Sequence, residues 1–375
     1  MEHMETKRLL LRIPSPRGVF NDLTRIGFLP REDWVKLVMT QIEVPHKVPF
    51  GSVVADHMVV SRTMGGVFGT MQVEPVGPLE LHPATHALHY GSSCFEGLKA
   101  HRAPDGQVRM FRARAHAARM RVSADILCLP VPKHELLVEM MRAAVRANLG
   151  QVPQIPGALY LRPTLLGVDP NIGAAATPSN EALLYVIASP VGDYFDSSRA
   201  LSVAIETQLP RSTPQFGQVK SGANYAMALG ITKRARDAGA DQVLFAPGGD
   251  VQETGASNFM LLDDSRLITK PLDGSFLAGV TRDSILTLAR EFGYQVEECE
   301  ITVDEVLAWA TKGEAALMGT AAVVAGVGAF IYDGKIIQVG DGGVGPNTLR
   351  LRQALVAIQR GQSPDQWGWT ELIEP

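Results

Sequence analysis

From Ala315 to Tyr332 the chain carries no charge: AALMGTAAVVAGVGAFIY. A run of this length stands near the lower limit for a membrane-spanning helix, roughly 17–20 residues. Its composition argues against one. Ala and Gly dominate it, and Gly319-Thr320 and Gly326-Val327-Gly328 interrupt it. Two buried strands joined by a tight Gly-Thr turn account for the same pattern, because a strand covered on both faces reads as continuously apolar. A chain built around such a hairpin needs a large sheet beside it and helices to cover that sheet.

The remaining sequence supplies both. HELLVEMMRAAVRAN, residues 134–148, places apolar residues at helical spacing and stops before Gly150. Residues 224–238 do the same and stop at Gly239, and residues 281–292 and 349–360 are further helices. In TVDEVLAWATKG, Thr302 and Glu305 stand at capping-box spacing, with Gly313 as the stop. Strand-like runs alternate with these: ALYLRPTLL, ALLYVIASPV, ALSVAIET, DQVLFA, NFMLLD and KIIQV. The mixture predicts an α/β or α+β architecture. Pro, Gly, Asp and Ser cluster in SPVGDYFDSSRA, residues 189–200, which reads as the linker between two parts.

Composition narrows the function. With 39 acidic against 35 basic residues the net charge is −4, which gives no basis for a nucleic acid or an anionic membrane as partner. Cys94, Cys128 and Cys299 are far apart and form no C-x-x-C, so a reduced, cytoplasmic setting is expected. The N-terminus has no apolar core of the signal-peptide kind. Pro14 and Pro16 break the basic stretch after Lys7, so it reads as a plain extension.

The chemistry-bearing residues sit in unusual company. In FGQVKSGANY, Lys220 is surrounded by Gly217, Ser221, Gly222 and Ala223, small residues that would let a flat ligand approach the backbone. Tyr225 follows at the start of a helix, and a lysine beside a phenol suits an amine that attacks a carbonyl cofactor. Such a cofactor needs a carboxylate for its ring nitrogen, and Glu253 in VQETGASNF is a candidate, against the plainer reading of a surface glutamate. Two turns could hold an anion: Gly279 before the helix beginning near Thr281, and Gly319-Thr320. Arg119 in HAARMRV could add a bidentate contact or be a surface arginine. Alternation in ALYLRPTLL puts Leu159 and Leu161 on one face and Tyr160, Arg162 and Thr164 on the other. Arg162, if buried, then needs an anion, either a structural acid or a substrate carboxylate. His82, His86 and His89 are spaced suggestively, but Pro83 breaks any helix there and no metal site is expected. AGVGA, residues 325–329, lacks the third glycine and the following helix of a dinucleotide loop.

Taken in order, LHYGSSCFEGLKA, FRARAHAARM, ALYLRPTLLG, GQVKSGANY, QETGASNFM, LAGVTRDSIL and GTAAVV resemble the branched-chain amino acid aminotransferases, fold-type IV pyridoxal phosphate enzymes. The resemblance runs from about Phe50 to the WGWTELI segment. It implies a two-domain fold with the cofactor at the domain interface. The smaller N-terminal α/β domain would span residues 1–190, including an extension to about 49, the interdomain loop 191–203, and the larger domain 204–375. It implies pyridoxal 5'-phosphate as cofactor, with Lys220 as the catalytic Schiff-base lysine, Glu253 at the pyridine nitrogen and Tyr225 at the phenolic oxygen. Arg119, Thr320 and the amides of Val280 and Thr281 would hold the phosphate, with Ser257 and Asn258 also at the cofactor. The amides of Ala321 and Ala322 would take the substrate α-carboxylate. Phe50, Tyr90, Phe95, Tyr160 and Tyr194 would wall the side-chain pocket, part of it across a homodimer interface, and Arg162 would take the distal carboxylate of glutamate.

The implied reaction is reversible amino transfer between leucine, isoleucine or valine and 2-oxoglutarate, with small molecules as the partners. A D-amino acid aminotransferase or an aminodeoxychorismate lyase would share Lys220 and Glu253, and a non-enzymatic binding protein on this fold would gain nothing from Lys220. Animal members of the family carry a C-x-x-C pair where this chain has Ala322 and Ala325, so thiol regulation is not expected. Ala256 stands where some relatives have threonine beside the cofactor.

Overall fold

The computed structural model describes residues 50–192 and 199–374. The N-terminal extension and Tyr194 lie outside the described residues. The first part of the chain forms β1 (His57–Met64), β2 (Val67–Phe68), β3 (Gln72–Pro75), α1 (His86–Tyr90), β4 (Ser93–Phe95), β5 (Leu98–Arg102) and β6 (Val108–Phe111). Helices α2 (Ala113–Ile126) and α3 (His134–Ala147) follow, then β7 (Ala158–Gly167) and β8 (Ala182–Val191). The second part begins with β9 (Leu201–Glu206), α4 (Gly222–Asp237), β10 (Gln242–Phe245), β11 (Asn258–Leu262), β12 (Arg266–Thr269) and α5 (Val280–Glu291). It continues with β13 (Gln295–Glu298), α6 (Val303–Trp309), β14 (Glu314–Gly319), β15 (Val323–Tyr332), β16 (Lys335–Gln338), α7 (Pro346–Gln359) and β17 (Thr370–Ile373).

The described strands make two sheets. The first, ordered β17-β6-β5-β7-β8-β1-β2 with β3 on β1 and β4 on β7, pairs its strands antiparallel. The second, ordered β10-β9-β15-β14-β11-β12-β13 with β16 on β15, mixes parallel and antiparallel pairs. The chain changes sheet between β8 and β9, inside the stretch read as a linker, and β17 returns to the first sheet beside β6.

The first sheet is amphipathic, as the alternation in ALYLRPTLL requires. Leu159, Leu161 and Leu165 are buried against Leu137, Val138, Met141 and Met120 of the two helices. The uncharged run folds as the hairpin expected from it. Ala315 pairs with Val327 and Gly319 with Val323, and the turn falls on residues 320–322. Its strands are the third and fourth of the seven in the sheet order, with α5 and α7 packed on one face through Ala316, Met318 and Val324 and another apolar layer on the opposite face through Ala315, Leu317 and Val327. Helix α6 carries the capping box: Thr302 Oγ1 accepts from the Glu305 amide and the Glu305 carboxylate accepts from the Thr302 amide. A charged side chain does similar work for α7. The Glu314 carboxylate accepts from the amides of Asn347 and Thr348 at 2.8 Å each, filling two of that helix's open donors.

Candidate active site

One pocket between the two sheets is lined by Arg119, Arg211, Lys220, Tyr225, Glu253, Ser257, Asn258, Val280, Thr281 and Thr320, among others. All nine residues expected around the cofactor therefore meet in one place, brought there from five separate stretches of chain. Lys220 is held at its backbone by the first sheet and its helices. Its amide donates to Ser123 Oγ at 3.1 Å and its carbonyl accepts from the Phe95 amide at 3.0 Å. Its Nζ donates to the Tyr225 hydroxyl at 3.1 Å and lies 5.2 Å from the centre of the Phe95 ring.

Two of the small residues around Lys220, Gly217 and Ser221, have structural tasks of their own. A Cβ on Gly217 would lie 1.9 Å from the Ser275 carbonyl oxygen, so two backbones meet there. Ser221 caps α4 by accepting from the Ala223 amide, and Asn224 Nδ2 donates to the carbonyls of Phe216 and Val219. A Cβ on Gly222 would meet nothing within 4 Å.

Glu253 is 3% exposed. Its carboxylate lies 3.1 Å from Arg211 Nη1 and accepts from Asn258 Nδ2 at 3.2 Å and from the Leu277 amide. Burial pushes its carboxyl above the usual range, with Arg211 opposing that push. Burial also works to raise the Tyr225 phenol, but Lys220 and Arg211 bring it below its ordinary value. Arg211 was not foreseen. It stands in LPRST, nine residues before Lys220, and nothing in its local pattern separates it from a loop cation.

The two turns expected to hold an anion line the same pocket. Val280 and Thr281 open α5, whose first turn leaves amides without helical partners. A Cβ on Gly279 would lie 1.9 Å from Asn258 Oδ1, and one on Gly319 would lie 2.7 Å from Ser257 Oγ, so neither position admits a side chain without movement. Arg119 is fixed by a residue that sequence reasoning also missed. Its Nε and Nη2 donate to the Glu96 carboxylate at 2.7 and 2.8 Å, and Nη1 donates to the Ala278 carbonyl. Three of the guanidinium's five N–H groups are engaged in this way, Nη2 also lies 3.5 Å from His116 Nδ1, and Arg119 lines the pocket. Glu96, 0% exposed, also lies 2.7 Å from His116 Nδ1. Burial works to raise the Glu96 carboxyl, but Arg119 and His116 hold it well below the usual carboxylate range. Burial pushes His116 down, so it is neutral near pH 7 and donates from Nδ1 to the carboxylate. Glu96 occupies the step between β4 and β5, where its amide bonds the Pro163 carbonyl, and that break in the ladder turns its side chain inward.

The residues expected around the substrate divide. Phe95, Tyr160, Arg162 and Phe50 form a continuous wall. The Phe95 ring is 5.3 Å from that of Tyr225, the Arg162 guanidinium lies 4.6 Å over Phe95, and Arg162 Nη2 donates to the Tyr160 hydroxyl at 3.0 Å. Phe50 packs edge-on against Tyr160 at 4.8 Å. Among the described residues no carboxylate pairs with Arg162, so the structural-acid reading has no partner there. Ala321 and Ala322 form the turn beside Thr320. Tyr90 stands apart from this wall. It is exposed, packs on His86 and donates to the Ile172 carbonyl. Of the three spaced histidines, His86 bonds Ser92 Oγ and lies within reach of the Ala174 and Thr177 carbonyls, His82 accepts from the Ala84 amide and His89 bonds the Pro83 carbonyl.

The chain that brings a buried carboxylate, an amine beside a phenol and two such turns to one pocket is similar to known proteins. The family profile described as amino-transferase class IV matches residues 93–330. The branched-chain-amino-acid aminotransferase of Mycolicibacterium smegmatis is 38% identical over 335 residues, covering 85% of this chain and 90% of that protein.

The chain belongs to the class IV aminotransferases, in their branched-chain group.

Other relatives agree. Branched-chain-amino-acid aminotransferase 5, chloroplastic, of Arabidopsis thaliana is 35% identical over 86% of this chain and 79% of its own length. The solved branched-chain amino acid aminotransferase of T.th. with pyridoxamine 5'-phosphate superposes with a TM-score of 0.72 at 27% identity, covering 86% of this chain and 100% of that one. The Escherichia coli branched-chain aminotransferase gives 0.69 at 28% identity, covering 85% and 100%. The aminotransferase fold is thus the mixed α/β, fold-type IV arrangement that the resemblance implied. Pyridoxal phosphate is the cofactor of this class. Among the described residues of this aminotransferase, no helix is long and apolar enough to cross a membrane.

Proposed function

We propose that this protein moves the amino group reversibly between leucine, isoleucine or valine and 2-oxoglutarate. The observation that carries the reading is the single pocket shared by Lys220, Glu253 and the two anion turns. The residues fit pyridoxal phosphate. Glu253, a buried carboxylate, would pair with a cationic ring nitrogen, and the Tyr225 hydroxyl would bond the phenolic oxygen. The amides of Val280 and Thr281, the Thr320 hydroxyl and the Arg119 guanidinium would hold its phosphate, with Ser257 and Asn258 beside them. When bound, the cofactor supplies the electron sink for charge that develops at the substrate α-carbon.

The chain's own groups then divide the work. Lys220 Nζ takes up and returns the α-proton, at a position fixed by Ser123, Phe95 and Tyr225. The amides of Ala321 and Ala322 bind the α-carboxylate. Phe50, Phe95 and Tyr160 receive the branched side chain, with Tyr90 and Tyr194 completing the wall. Arg162, already aligned by Tyr160 and Phe95, captures the second carboxylate of glutamate or 2-oxoglutarate.

The proposal includes a homodimer in the cytoplasm, built from a smaller domain around the first sheet and a larger one around the second. The first sheet's side away from α2 and α3 supports the dimer: Leu79, Leu81, Leu166, Val168, Tyr185 and Ile187 are only half-buried there. Tyr90 on the outer surface is consistent with service in a second copy's pocket. The test is the absorption of protein reconstituted with pyridoxal phosphate. Leucine should bleach the visible band and D-alanine should not, and borohydride should fix the cofactor to the peptide bearing Lys220. A protein that binds no cofactor, or answers only D-alanine, refutes the reading.

A further inference from the structure

The turn between β14 and β15 is held by two cations from distant parts of the chain. Lys99 on β5, only 7% exposed, donates through Nζ to the Ala321 carbonyl at 2.8 Å. Arg352 on α7 donates to the carbonyls of Ala322 and Val324, the latter at 2.8 Å. Directly after the turn, Val323 has φ +62°. That is the left-handed region, which a β-branched residue enters only when its surroundings enforce it.

Peptide planarity converts these contacts into a statement about donors. In a trans peptide the N–H of one residue points opposite to the C=O of the residue before it. Fixing the Ala321 carbonyl on Lys99 therefore fixes the direction of the Ala322 N–H, away from the ammonium group. A cation on the carbonyl also polarises the peptide and strengthens that N–H as a donor. Lys99 stands opposite Tyr160 in the β5–β7 ladder, so the strand pair that places Tyr160 at the substrate wall also places Lys99 at the turn.

We propose that Lys99 is a positioning residue for the substrate α-carboxylate, acting through the Ala321–Ala322 peptide, with Arg352 and the left-handed Val323 holding the rest of the turn. This rests on the function proposed above, specifically on the Ala322 amide as carboxylate donor. The test compares two ligands of the cofactor-loaded enzyme. 4-Methylpentanoate has the leucine skeleton and the carboxylate but no amine, and 3-methylbutylamine has the amine but no carboxylate. Both are titrated by the change in cofactor absorption.

Lys99→Met should weaken 4-methylpentanoate about tenfold, the scale of one hydrogen bond to a charged group. It should leave 3-methylbutylamine unchanged, and Lys99→Arg should restore most of the loss. In leucine turnover the effect should fall on KM more than on kcat. Equal losses for both ligands, or none for either, overturn the proposal. Should Lys99→Met not fold, Lys99→Gln is read in the same titrations. A carboxylate-only loss of about threefold or more supports the proposal, and any other pattern overturns it. A wild-type protein that binds no cofactor or leaves leucine unchanged refutes the proposed function itself. A wild type that converts leucine, with variants that bind both ligands as it does, refutes only the role of Lys99.

Discussion

Glu96→Gln tests whether the buried ion pair beneath the anion site is what keeps Arg119 in place. Glu96 has no exposed surface and takes two hydrogen bonds from Arg119 and one from His116, all at 2.7–2.8 Å. Glutamine keeps the shape but removes the charge, leaving the Arg119 guanidinium buried without its counter-ion. Removing one partner of a buried pair costs about 3–5 kcal/mol, and the retained amide oxygen argues for about 3. For a chain of this size about 2 °C of melting temperature accompanies each kcal/mol, so the midpoint should fall by about 6 °C. The assay is thermal unfolding of the cofactor-free protein. The sign of its pH dependence follows from the depressed Glu96 carboxyl. A lowered carboxyl stabilises the fold fully above its unfolded pKa, and that contribution is lost as pH falls toward the folded value. The gap between wild type and variant should therefore be full at pH 7–8, where Glu96 is ionised and His116 neutral, and should narrow below about pH 4.3. Adding Arg119→Met should recover part of the stability, because an apolar side chain replaces the orphaned charge, while weakening cofactor binding. A variant melting within about 1 °C of wild type at pH 7, or a double variant no more stable than the single one, would refute the reasoning.

Three further changes test other parts of the site. Arg162→Ala should slow the half-reaction with glutamate or 2-oxoglutarate about 100-fold and leucine less than about threefold, since only the former place a carboxylate on the guanidinium; equal losses in single-turnover kinetics would remove that role. Tyr225→Phe deletes the oxygen that accepts from Lys220 Nζ at 3.1 Å, and cofactor retention on dilution, followed by absorbance, should weaken about tenfold; unchanged retention counts against it. Gly217→Ala forces a Cβ to within 1.9 Å of the Ser275 carbonyl unless the backbone moves, so its melting point should drop by about 2–6 °C, while Gly222→Ala, with open space, should stay near wild type; similar effects from both would contradict the close approach.

What could be read from sequence was whatever depends on near neighbours in the chain. Helix His134–Ala147, the hairpin from Glu314 to Tyr332 and the Thr302–Glu305 box each follow from local periodicity or spacing. Lys220, Glu253 and the anion turns were legible because small residues and helix starts flank them, and the ordered motifs tied them together. Arg211, Glu96, His116 and Lys99 were not. Each acquires its role from a partner across the fold, as Lys99 does from a carbonyl 222 residues away, and no local pattern encodes such a meeting. Strands β4 and β5 escaped for a related reason: Gly97 and the charged Glu96, Lys99 and Arg102 weaken the strand signal that burial later overrides. The reading of Gly217 as clearance for a ligand failed because its neighbour, Ser275, is remote in sequence.

The return of β17 to the first sheet gives the molecule a mechanical property. The backbone passes from one sheet to the other between β8 and β9, and passes back between α7 and β17. The second passage is fastened by Arg112 bonding the Trp369 carbonyl, by Trp367 stacked on Trp369 at 4.5 Å, and by Arg142 paired with Glu371. Between the two passages the parts are also joined directly, by Lys99 on the Ala321 carbonyl, Arg119 on the Ala278 carbonyl and the Phe95 amide on the Lys220 carbonyl. Two separated crossings with three bonds between them act as a clamp, so prising the sheets apart at the pocket would break all three bonds at once.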